Sequence, residues 1–159
     1  MSPSQDRQVV FITGAGSGMG LESALHLAAR GFQVYGSVFT EAEDKALHQE
    51  ADRRGVHLDS VRMDITQEAQ TRSAVEHVIG RAGRIDALIH FAGMSLRGFF
   101  EDLSLEEIRR VFEVNVFGIM ALTQAVIPHM RQARRGRIIF TTSIAGRMPS
   151  MSIGGYASS

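Results

Sequence analysis

The stretch Val9-Val10-Phe11-Ile12-Thr13-Gly14-Ala15-Gly16-Ser17-Gly18-Met19-Gly20 constrains this chain more than any other. Four consecutive apolar residues read as a buried strand, and Leu21, Ala24, Leu25 and Ala28 follow the glycines at helical spacing. Strand, glycine turn and helix in that order make a phosphate cradle. Glycine permits the tight turn and lets a pyrophosphate approach the main chain. The helix start adds unpaired N–H donors and the positive end of its dipole. The spacing is Thr-Gly-x-x-x-Gly-x-Gly, at Thr13, Gly14, Gly18 and Gly20. Met19 stands where the common Gly-x-Gly-x-x-Gly fingerprint, counted from Gly14, has its last glycine. No Gly-Lys-Ser/Thr follows, which argues against a nucleoside-triphosphate P-loop, and the chain's one lysine is Lys45. A ligand-free strand-to-helix turn is the bland alternative, and the position after the first strand of an alternating pattern weighs against it.

Downstream, strands and helices alternate. The first helix runs to about Arg30, stopped by Gly31. Phe32–Val38 reads as the second strand. Thr40 with Glu43 three residues on is a capping-box signal for a helix to about Arg54. Val56–Met63 is a weaker third strand ending at Asp64, and Thr66 caps a helix with Ala74, Val75, Val78 and Ile79 on one face. Ile85–Ala92 is the fourth strand. After a loop over 93–100, Ser104 and Glu107 form a second capping box for a helix reaching Met130, and Arg137–Thr142 is the fifth strand. Such alternation predicts an α/β fold with a parallel sheet covered on both faces by right-handed crossovers. Ligands in such folds sit at the carboxyl ends of the strands where strand order reverses, here beside Gly14–Gly20 and Phe91–Gly93.

Composition sets the outer bounds. The 159 residues suffice for one domain with a real core, expected over 8–159, and residues 1–7 read as a short disordered tail without signal-peptide order. The 17 basic and 17 acidic residues cancel, so no long-range field recruits nucleic acid or an anionic membrane. No apolar run approaches the roughly 20 residues of a membrane span, so no membrane partner is expected and a cytoplasmic location is the default. Absence of cysteine excludes disulfides and thiolate chemistry. The six histidines, at 26, 48, 57, 77, 90 and 129, show no metal-ligand spacing, so no metal is expected. His90 is read as a satisfied structural histidine rather than a cofactor contact.

From Gln8 to Ser159 the chain resembles the N-terminal part of a single-domain short-chain dehydrogenase/reductase. Thr13–Gly20 matches that family's cofactor motif, and Asp64 matches the acid that bonds the adenine ring. Phe91-Ala92-Gly93 matches the end of its Asn-Asn-Ala-Gly, with His90 and Phe91 in place of the asparagines. Asn115, Ser143 and Tyr156 match the catalytic asparagine, serine and tyrosine, the last two thirteen residues apart. The resemblance implies a Rossmann-like three-layer sandwich, a doubly wound parallel sheet of five strands in the order 3-2-1-4-5, ending before the family's strands six and seven. It implies a dinucleotide held by Gly14, Ser17, Gly18, Met19, Gly20, Phe39, Asp64, Ile65, Phe91, Ala92 and Gly93.

The implied chemistry is hydride transfer between a nicotinamide and a carbonyl or alcohol. A tyrosine phenol protonates the developing alkoxide, and a serine hydroxyl bonds the same oxygen. A free phenol has a pKa of about 10, so only about one in a thousand is ionised at neutral pH. The family lowers that value with a lysine four residues after the tyrosine, a position one beyond Ser159. Lys45, on the adenosine side, cannot replace it. Four residues cannot nucleate a helix alone, so Tyr156 is expected on a mobile tail and activity is expected to be impaired. Strand five and the 104–130 helix are expected to be bare and to form a homodimer. Val38, at the end of strand two, is not the acid that binds ribose hydroxyls in NAD enzymes, which leans the cofactor expectation weakly to NADP. The apolar segments 93–100 and 144–152 suggest a small hydrophobic carbonyl or alcohol substrate. A non-catalytic dinucleotide-binding or dimeric relic is the alternative.

Overall fold

A computed structural model describes residues 7–148 and 150–159, so residues 1–6 of the expected tail lie outside the described residues. Five parallel strands form one sheet: β1 (Val9–Thr13), β2 (Gln33–Val38), β3 (Asp59–Arg62), β4 (Ala87–His90) and β5 (Arg137–Phe140). Their order is β3-β2-β1-β4-β5, as expected. Phe11 pairs with Tyr35 of β2 on one side and with Leu88 of β4 on the other, so β1 is central. Strands three to five are shorter than their hydrophobic runs suggest.

All five residues of β1 are buried because both sheet faces are covered. Val9 and Phe11 point into a cluster with Val75 and Val78 of α3 (Glu68–Ala82) and Leu122 and Val126 of α5 (Ile119–Gln132). Val10 and Ile12 point the other way, toward Ala24 and Leu25 of α1 (Gly18–Ala29) and Leu47 and Ala51 of α2 (Glu41–Arg53). The period-two alternation of a strand thus divides the core into two layers. The Asp86 carboxylate accepts a 2.8 Å bond from Val9 N–H and pins the start of β1 to the start of β4.

Four sequence expectations need correction. Thr66 does not cap α3: Gln67 stands there, and Thr66 donates through its N–H and hydroxyl to Asp64 Oδ1 at 2.9 and 2.8 Å. The short Asp-x-Thr turn outcompetes the helix for that hydroxyl. The helix after Ser104 is not uniform: α4 (Leu105–Phe112) passes through a π-turn over Glu113–Gly118 into α5. Together these make a 28-residue helix whose apolar window has a mean hydropathy of 1.5, long and apolar enough to cross a membrane by length and composition. Counting uninterrupted apolar runs overlooked it, because scattered polar residues break the run without lowering the mean. Its Leu122, Val126 and Met130 face packs into the core, where the central helix of a sheet protein belongs.

The last difference concerns Tyr156. It lies on a helical turn, α6 (Gly154–Ala157), instead of a mobile tail. Nucleation in isolation was the wrong limit, because docking supplies what four residues lack. Gly155 is buried so closely that an added Cβ would meet Leu96 at 3.1 Å and Leu103 at 3.2 Å. Ser159 Oγ donates to the Tyr156 carbonyl at 2.7 Å and accepts from Asn115 Nδ2 at 2.9 Å, tying the turn to the π-turn.

Candidate active site

The glycine turn is positioned by its two neighbouring strands. Buried Thr13, the last residue of β1, receives the N–H groups of Phe91 and Ala92 on its Oγ1 at 3.1 and 3.0 Å. That hydroxyl therefore stitches the ends of β1 and β4 together. Gly14 follows at φ +68°, and a Cβ on it would lie 2.8 Å from Ala92 N. Left-handed backbone and close approach both require glycine here. On the β2 side, Ala15 N–H donates to the Ser37 carbonyl at 2.8 Å. Ser17 is the N-cap of α1, and its hydroxyl makes no capping bond. It and the first N–H groups of the helix remain for an anion.

These fixings leave a cavity of about 870 Å³ over the carboxyl ends of β1, β2 and β3. Gly14, Ser17, Gly18, Met19, Gly20, Phe39, Asp64, Ile65, Phe91, Ala92 and Gly93, the whole predicted binding set, line it. Met19 is 65% exposed and Phe39 60% exposed, two large apolar side chains held at the rim of an open cleft.

A second cavity, of about 770 Å³, lies over the ends of β4 and β5 and is lined by Asn115, Ser143 and Tyr156. The two cavities share Met19 and Phe91–Met94, so they form one continuous cleft across the point where strand order reverses. Ser143 is half-buried, and its Oγ accepts a local bond from Ala145 N–H at 3.2 Å. Tyr156 is also half-buried. Among the described residues, no hydrogen bond joins Ser143 to Tyr156. Asn115 is a node: its Oδ1 accepts from Met94 N–H and its Nδ2 donates to the Met94 carbonyl, both at 2.9 Å. The π-turn is what aims that amide, since its wider backbone shifts the helix register where Asn115 stands.

His90 forms the seam between the halves. It is 1% exposed, stacks on Phe140 of β5 with ring centroids 5.1 Å apart, and bonds Thr123 Oγ1 through Nε2 at 3.0 Å. Among the described residues its Nδ1 has no partner, so there the expected structural histidine is satisfied on one nitrogen only. Burial pushes its pKa down to about 4, which keeps the ring neutral. Among the described residues, no group of three or more acidic or histidine side chains is placed to hold a metal.

Sequence reasoning overlooked two contributors. Thr13 was visible only as a letter of the motif, and its tie to β4 required knowing that the strands are neighbours. Glu43 was visible as half of a capping box, yet its carboxylate accepts from Phe39 N–H at 2.7 Å and reaches back over the glycine turn. Thr40 Oγ1 does accept from Glu43 N–H, at 3.2 Å.

Comparison with known proteins agrees with this geometry. A family model described as short chain dehydrogenase matches residues 8–159. A 3-ketodihydrosphingosine reductase of Bacteroides thetaiotaomicron is 37% identical over 155 residues, covering 96% of this chain and 53% of that protein. The crystal structure of a variant actinorhodin polyketide ketoreductase with NADPH superposes with a TM-score of 0.93 at 28% identity, covering 99% of this chain and 61% of that one. A 7α-hydroxysteroid dehydrogenase with NADH and 7-oxo glycochenodeoxycholic acid gives 0.88 at 31% identity, over 99% and 63% of the two chains. The chain spans about half the length of the curated relative at 37% identity.

Proposed function

This chain belongs to the short chain dehydrogenase family, and we propose that it contributes the dinucleotide site and part of the catalytic set of an NAD(P)-dependent oxidoreductase acting on a carbonyl or alcohol. The observation that carries this reading is the continuous cleft. One end is lined by the glycine turn, the other by Ser143 and Tyr156, and they meet at Phe91–Met94. The cradle fits a dinucleotide: Gly14 admits nothing beyond hydrogen toward β4, and the capping donors at Ser17 are free. When bound, the nicotinamide supplies or takes up the hydride.

In this reading Gly14, Ser17, Gly18, Met19 and Gly20 hold the pyrophosphate, while Phe39, Asp64 and Ile65 enclose the adenosine. Phe91, Ala92 and Gly93 carry the backbone between the two ends. Tyr156 gives its phenolic proton to the substrate oxygen, and Ser143 Oγ donates a hydrogen bond to the same oxygen once it turns from Ala145. Asn115 positions Met94 and α6, acting through the backbone rather than on the substrate. Lys45, on α2, pairs with Glu41 at 2.6 Å and lines neither cavity, so these 159 residues bring no ammonium to the phenol and slow turnover is expected of them.

A small hydrophobic carbonyl or alcohol is the substrate class in keeping with the exposed Ile144 and Met148 beyond β5. A homodimer through the edge strand β5 and the α4–α5 helix accords with the exposure of Ile139, Phe140, Phe117 and Met120. Val38 at the end of β2 presents no acid to the ribose, the ground on which NADP is expected from the sequence, so the choice between NAD and NADP falls to groups outside β2. Titration calorimetry with NADH and NADPH tests the core of the proposal, with binding of at least one expected below millimolar concentration. Loss of nicotinamide absorbance with a panel of ketones and aldehydes then separates an enzyme from a binder without turnover. No heat with either cofactor would refute both.

A further inference from the structure

We propose that Glu43 sets the dinucleotide preference and turns it toward NAD, an inference that rests on the dinucleotide reading above. In a doubly wound sheet an acid at the end of β2 receives the adenosine ribose hydroxyls. Here β2 ends in Val38 and provides none. The structure supplies the carboxylate from the first turn of α2. Glu43 Oε2 is anchored by Phe39 N–H, the first residue past β2, at 2.7 Å. From there the side chain lies against the glycine turn: a Cβ built on Gly16 would meet Glu43 Cβ at 2.6 Å and Oε2 at 2.9 Å. Glycine at position 16 thus leaves room for Glu43. Glu43, Gly16, Ser17 and Phe39 all line the same cavity.

The anchoring bond is the only one made to that carboxylate among the described residues, so acceptor capacity remains for a ribose hydroxyl. A 2′-phosphate brings a charge of roughly −1.5 to −2 to the same place and would face a fixed negative group. The two arginines lining the cavity, Arg109 and Arg110, come from α4, and Glu106 and Glu113 of the same stretch line it beside them. Arg62, paired in register with Val38, lies with Phe39 on the rim of an adjoining depression and is the cation best placed to oppose the preference.

Dissociation constants for NADH and NADPH, measured by calorimetry on the 159-residue chain and its variants, test this. The unaltered chain is expected to bind NADH about tenfold more tightly than NADPH. Glu43→Gln keeps an acceptor for Phe39 N–H and removes the charge, and it is expected to narrow the ratio about tenfold, chiefly by tightening NADPH. Gly16→Ala offers a second route, since its Cβ displaces the carboxylate without deleting it, and the ratio should move in the same direction. Equal or tighter binding of NADPH by the unaltered chain would overturn the inference, as would a ratio unmoved in both variants. An NADPH preference that disappears in Arg62→Ala would overturn it in favour of that arginine. Failure of both cofactors to bind would instead bring down the dinucleotide reading, and this inference with it.

Discussion

The two ends of the cleft are built differently. Around β1 every strand residue is buried, and the glycine turn is held from both sides, by Thr13 to β4 and by Ala15 to β2. Around β5 three of four strand residues are exposed, and Ser143 and Tyr156 stand on a single 3₁₀ turn and a four-residue helix. In the function proposed above, the cradle's N–H groups have to be fixed in advance, whereas the proton donor and its helper exchange partners during turnover. Substitutions at the first end should therefore cost stability, and substitutions at the second should cost turnover.

Gly14→Ala is the most severe probe of the rigid end. It combines a left-handed φ with a Cβ placed 2.8 Å from Ala92 N. A loss of about 3 kcal/mol in urea unfolding is expected, together with weakened dinucleotide binding. A loss below about 1 kcal/mol would show that the turn relaxes freely and would break the contrast.

The seam at His90 is expected to respond to pH. Unfolded, its imidazole titrates near 6.5, and folded near 4 because burial disfavours the cation. The native state thus binds fewer protons in that interval. His90's contribution to stability is intact above pH 6.5 and is lost as pH falls toward 4. It is expected to reach on the order of 3 kcal/mol. His90→Asn retains a polar group beside Thr123 without the titration, so unfolding midpoints measured from pH 7 to 4 should flatten relative to the unaltered chain.

Thr13→Val keeps the shape but strands two half-buried N–H donors, and about 1 to 2 kcal/mol is expected to be lost. At the other end, Ser143→Ala is expected to change stability by less than about 0.5 kcal/mol, because its bond to Ala145 is local and half-exposed. Turnover of the ketone or aldehyde that the unaltered chain reduces fastest should nonetheless fall about a hundredfold. A Ser143→Ala variant that unfolds easily yet keeps its turnover would reverse the roles assigned to the two ends.

How much of this was legible differs between the same two regions. The strand, glycine turn and helix at the first end were readable nearly residue by residue, because their determinants are local. An apolar run, a glycine spacing and a strand-to-helix switch lie within 20 residues, whereas Phe39, Asp64, Ile65 and Phe91–Gly93, which line the same cavity, lie far along the chain and were named only through the family resemblance. The other end depends on contacts between segments far apart in the chain. Asn115 and Ser159 are 44 residues apart and His90 and Thr123 are 33 apart, and no local pattern announces either pair. The π-turn at Glu113–Gly118 likewise looks like ordinary helix in sequence.

Alternation of strand and helix therefore determined the α/β class with its covered parallel sheet, the glycine spacing marked the turn after β1, and the strand order came with the family resemblance. The first two follow from backbone conformation and from burying two sheet faces, and both are written in periodicity. Only the tertiary structure decided that Tyr156 rides a docked turn, that His90 is buried with one nitrogen unpartnered among the described residues, and that Glu43 delivers its carboxylate to the end of β2. Periodicity says which face a side chain occupies. Where its polar atoms find partners depends on which strands and helices become neighbours, and folding alone settles that.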